Sequence, residues 1–73
     1  MSPDKLAYMA NQIGKFFAPQ KTVDPVAGIA DHLEKFWDPR MRSAIIDHLA
    51  KGGADLDPPV REAVSRLKVP KVA

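Results

Sequence analysis

Apolar residues recur at helical spacing in four separate stretches of the chain. In the first, Leu6, Met9, Ala10, Ile13, Phe16 and Phe17 follow an i, i+3, i+4, i+7 pattern, which gathers them on one side of a helix turning once in 3.6 residues. The second stripe is Val26, Ile29, Ala30, Leu33 and Trp37, with Phe36 at its edge. Met41, Ala44, Ile45, His48 and Leu49 form the third, and Val60, Ala63, Val64 and Leu67 the fourth. The spacing predicts helices over about 3–17, 25–37, 39–51 and 58–67. Strands are excluded, because no segment alternates apolar and polar residues for long enough and no Asn-Gly or Asp-Gly hairpin turn occurs.

Each stripe is preceded by the same start signal: Ser2-Pro3, Asp24-Pro25, Asp38-Pro39 and Asp57-Pro58. A Ser or Asp oxygen accepts a free backbone N–H at a helix start, and proline in the next position loses nothing because its missing N–H has no helical partner. The Asp carboxylates also face the positive end of the helix dipole. Pro19 ends the first helix. Pro39 disfavours helical geometry at Asp38, and Gly52-Gly53 supplies a left-handed stop to the third helix. The pattern predicts an all-α fold, a small bundle of three to four short helices. A single helical domain is expected over residues 1–67. The segment 68–73, Lys-Val-Pro-Lys-Val-Ala, has no period and is expected to be a disordered tail. Short connections favour packing between chain neighbours, with helices two and three meeting at an angle across the tight Asp38-Pro39 break.

Composition narrows the function classes. The chain has 73 residues, of which 45% are hydrophobic and 27% charged, values of a folded domain rather than a disordered polyampholyte. The net charge of +2 does not call for a basic nucleic-acid-binding face. Cysteine is absent, which removes disulfides, thiolate metal sites, cysteine nucleophiles and protein-ligated iron–sulfur clusters. No apolar run approaches a membrane span and no signal peptide is visible, so the expected location is the cytoplasm. At this size a single core supplies no more than about 3–5 kcal/mol, so the domain is either very well packed or stabilised by a partner.

Few constellations could carry chemistry. Asp31-His32 and Asp47-His48 offer one histidine per helix, each beside an Asp that points about 100° away. Ligands on one helix sit at i, i+3 or i+4, and no third ligand is marked, so no metal or cofactor site and no catalytic residue is predicted. Gly52-Gly53 lacks the spacing of a phosphate loop. The aromatic pairs are more telling. Phe16-Phe17 and Phe36-Trp37 each end a predicted helix, and a thin helix cannot easily bury two adjacent rings. Either the rings belong to a wide core stripe, with Trp37 plugging the space between helices two and three, or the surplus surface docks on another protein. Arg40 and Arg42 follow Phe36-Trp37 and offer forked donors to carboxylates or carbonyls. The expected partner-binding patch is Phe36, Trp37, Arg40, Met41 and Arg42, together with Phe17; Phe16-Phe17 is the next candidate should docking lie elsewhere.

Several stretches are similar to one known family. Met9-Ala-Asn-Gln-Ile-Gly-Lys-Phe-Phe17, Gly28-Ile-Ala-Asp-His32, Lys35-Phe-Trp-Asp-Pro-Arg-Met-Arg42, Gly52-Gly-Ala-Asp-Leu-Asp-Pro58 and Val60-Arg-Glu-Ala63 resemble the delta subunit of the soluble NAD-dependent, molybdenum-containing formate dehydrogenase of bacteria. The resemblance spans about residues 5–67 and departs only in the tail. It implies an accessory role in a complex that oxidises formate and reduces NAD. There the alpha subunit carries the molybdenum cofactor and iron–sulfur clusters, and the beta and gamma subunits carry FMN, further clusters and the NAD site. The implied partner is the large alpha subunit, with no cofactor in this chain, and with neither nucleic acid nor membrane as partner. The alternative is a free-standing helical regulator that binds nucleic acid through helix three or four, although Asp47 is a poor neighbour for a phosphate.

Overall fold

All four cap–proline pairs open a helix. The computed structural model describes residues 2–20 and 24–68 and contains α1 (Pro3–Phe17), α2 (Pro25–Phe36), α3 (Pro39–Ala50) and α4 (Pro58–Ser65). Among the described residues there is no strand. Ser2 Oγ accepts from the Lys5 amide at 3.3 Å, Asp24 Oδ1 from Val26 at 3.0 Å and Asp38 Oδ1 from Met41 at 2.9 Å. Helices two to four end one or two residues earlier than the apolar spacing predicts, because Trp37 and Leu67 are core residues held just beyond a helix end. Of the tail expected to be disordered, residues 69–73 lie outside those described.

Asp57 departs from the shared pattern and makes no side-chain cap bond. Pro58 and Pro59 both lack an N–H, which leaves the third-position Val60 amide as the nearest donor for a cap oxygen, and Asp57 does not take it. The turn is instead held from outside. Asn11 on α1 donates through Nδ2 to the Asp55 carbonyl at 2.6 Å and accepts the Asp57 amide on Oδ1 at 3.0 Å. The stop after α3 is a paired glycine turn: the Gly52 amide donates to Leu49 O and the Gly53 amide to His48 O, with φ of 119° and 64°. Arg61 on α4 then donates to the Gly52 and Gly53 carbonyls at 3.1 and 2.8 Å, tying the two helices together at the turn.

Chain neighbours pack together in α1–α2 and α3–α4 but not in α2–α3, whose helices scarcely touch beyond the corner. Trp37 and Asp38 are extended there, with ψ of 136° and 168°, so α3 leaves α2 at once and packs on α1 and α4 instead. One buried cluster results, built from Leu6, Ala7, Ala10, Ile29, Leu33, Trp37, Ile45, Leu56, Val60, Ala63, Val64 and Leu67. The Cα radius of gyration is 11.4 Å, close to the roughly 11 Å of a close-packed chain of this length.

The stripe on α1 is rotated from the predicted one. Leu6, Ala7, Ala10 and Gly14 face the core, while Met9 and Phe16 turn outward. Small residues carry the inner face because α4 comes so near: a Cβ on Gly14 would lie 2.7 Å from Val60 Cγ2. The bulky half of the stripe is displaced toward solvent.

Candidate functional site

The residues expected to form one docking patch divide into an inner and an outer group. Trp37 is 5% exposed and fills the core at the end of α2, as one of the two readings of its spacing expects. Arg42 turns inward as well. Its Nη1 donates to the carbonyls of Glu34, at 3.2 Å, and of Trp37, so the guanidinium caps the C-terminal end of α2, where a cation also suits the helix dipole. Its Nε is buried without a hydrogen-bond partner. Met41 is half-buried against the core. These three side chains hold the α2–α3 corner.

Phe36 is the outer member of its pair, 72% exposed. Arg40 is exposed in the first turn of α3 and has no carboxylate within ion-pairing distance among the described residues. Phe17 is half-buried and lies against the backbone of α2 at Gly28, where a Cβ would come within 2.7 Å of its ring. That close seat brings the end of α1 to the side of α2 and creates a row of rings. Phe16 and Phe17 meet edge to face at 5.1 Å, Phe17 and His32 lie 6.5 Å apart, and His32 and Phe36 lie 4.7 Å apart. Phe16 is 67% exposed at the other end of the row. Met9, two turns before Phe16 on the same face of α1, is also exposed.

Thus Phe17 and Phe36 are brought together, through His32, across two helices, whereas Phe36 and Trp37 are separated. His32 and Met9 were not expected at this face. The signal for His32 was present in the spacing Gly28, His32, Phe36, one helical turn each, with the glycine as a seat for an incoming ring, and that for Met9 in its seven-residue spacing from Phe16. Tyr8, 65% exposed, lies off every apolar stripe and carried no such signal.

Both histidines are engaged in local contacts. His32 lies in the aromatic row, and His48 Nε2 lies 2.7 Å from the Ala54 carbonyl, fastening the loop after α3. Their neighbouring carboxylates pair along the helices instead, Asp31 with Lys35 at 3.1 Å and Asp47 with Lys51 at 2.9 Å. Among the described residues no group of three or more His, Cys, Asp or Glu is placed to hold a metal ion, and no helix is long and apolar enough to cross a membrane.

Fold and surface together define a small all-α protein with an aromatic face on one side. Over residues 5–64 the chain matches the family of the NADH-dependent formate dehydrogenase delta subunit FdsD, and it belongs to that family. The match runs from the first turn of α1 almost to the end of α4. The chain matches no curated protein and no solved structure.

Proposed function

We propose that this chain is a non-catalytic accessory subunit that binds the large molybdenum-containing alpha subunit of an NAD-dependent formate dehydrogenase and supports its assembly or stability. Membership of the delta-subunit family is the observation that carries this function. The chemistry of the chain agrees with it. A sequence without cysteine has no thiolate for an iron–sulfur cluster, and both Asp-His pairs are engaged in local contacts. In this assignment the chain holds no cofactor of its own, and the molybdenum cofactor, iron–sulfur clusters, FMN and NAD belong to the larger subunits. Its place of action is the cytoplasm, as a component of that complex.

Co-expression tests the assignment. Tagged delta chain should co-purify with the alpha subunit, and omitting it should lower the yield or melting point of the assembled enzyme. The isolated chain should form no NADH from formate. An enzyme assembled without the chain in full yield, with unchanged stability and no binding when the chain is added back, would overturn the assignment. A salt-sensitive shift of DNA by the isolated chain would instead favour a nucleic-acid-binding regulator.

A further inference from the structure

Building on the subunit assignment above, we propose that the row Met9, Phe16, Phe17, His32 and Phe36 is the surface that docks on the large subunit, which meets it with an apolar seat bordered by carboxylates. The surface is preorganised. Phe17 is fixed against Gly28, Phe16 lies edge to face on Phe17, and Phe36 leans on His32. Rings already held in place lose little side-chain freedom on docking, and aromatic anchors of this kind dominate interface energetics.

Charge and area select the occupant. Among the described residues Lys5 and Lys15 on α1 have no carboxylate within ion-pairing distance. Lys5 stands one turn before Met9, and Lys15 precedes Phe16. Near Phe36, Lys35 is neutralised by Asp31. The uncompensated charge along α1 beside the row is therefore positive, apart from Asp4, which lies well round the helix from Met9. In a contact between two copies related by a two-fold axis, these lysines would approach one another; carboxylates on a different chain would complement them. Phe16 and Phe36 together expose roughly 200–350 Å² of side chain, taking about 150–250 Å² for a whole aromatic residue. Two such pairs of rings face to face fall well below the roughly 1,200 Å² of a stable specific interface. A larger subunit that holds the rings and extends over the polar flanks of α1 and α2 reaches that size.

The test uses the purified alpha subunit and titrates it with the full delta chain and its variants, reading Kd by calorimetry and folding by circular dichroism. Phe16→Ser with Phe36→Ser should weaken binding about a hundredfold or more, while the melting point moves by less than about 5 °C, since both rings are exposed. Lys5→Glu with Lys15→Glu should weaken binding about tenfold, and wild-type affinity should fall as salt rises. Glu62→Ser with Arg66→Ser, on the exposed side of α4, should bind as the wild type does. If the wild type binds and the double phenylalanine variant binds equally well, the docking surface is wrong and the subunit assignment stands. If the wild type does not bind, both fall. If the isolated chain sediments as a dimer that the double phenylalanine variant dissociates, the occupant is a second copy and the proposal is overturned.

Discussion

Adjacent residues Phe36 and Trp37 meet opposite fates, and the difference is measurable. Trp37→Ala removes a buried indole from a small core and should cost about 3–5 kcal/mol in urea unfolding, enough to unfold most of the chain. Phe36→Ser should change stability by less than about 0.5 kcal/mol. Equal losses at the two positions would contradict this division. The two arginines at the corner differ in the same way. Arg42→Glu places a carboxylate against the carbonyls of Glu34 and Trp37 and should lower the melting point, whereas Arg40→Glu should leave it nearly unchanged. Charge reversal at this corner therefore probes docking only through Arg40.

At the scale of the helix, four similar start signals hide two different mechanisms. Asp38→Ala removes a carboxylate that accepts the Met41 amide and should cost about 0.5–2 kcal/mol. At α4 the corresponding loss should fall on Asn11 rather than on Asp57. Asn11→Ala leaves the Asp57 amide and the Asp55 carbonyl without their partner and should destabilise more than Asp57→Ala; the reverse order in thermal melts would contradict this assignment. Gly52→Ala forces a side chain into a left-handed conformation and should cost more than the roughly 1 kcal/mol that glycine replacement can gain where the backbone permits it. Helix identity and starts were legible because capping and proline effects are local, depending on residues within one turn. The Asn11 strap was not legible, because it joins positions 46 residues apart.

For the whole molecule, the core is small and no disulfide assists it, so stability alone should be modest, with melting well below the roughly 90 °C of hyperstable domains. A partner that binds only the folded form adds about 2.7 kcal/mol at a hundredfold excess over Kd, so the melting point of the delta chain should rise with alpha-subunit concentration. A melting point independent of that concentration would remove the case for mutual stabilisation. The exposed rings are the counterpart of the small core: this thin bundle encloses only one ring of each adjacent aromatic pair to any depth and leaves the other, Phe16 or Phe36, exposed.

By itself the sequence determined that the chain is helical, where each helix begins, where α3 stops, and to which family it belongs, since these depend on apolar period, capping chemistry and residue identity. Tertiary structure alone decided which side of each stripe is buried. Spacing on α1 admits a core face through Met9 and Phe16 or one through Ala7 and Gly14. The close approach of Val60 to Gly14 selects the second, because only small residues let α4 come so near. The same selection turns Met9 and Phe16 outward, and Gly28 seats Phe17 beside His32 and Phe36. The outer row is thus fixed by how the helices approach one another, a property of pairs of helices that no single helix encodes.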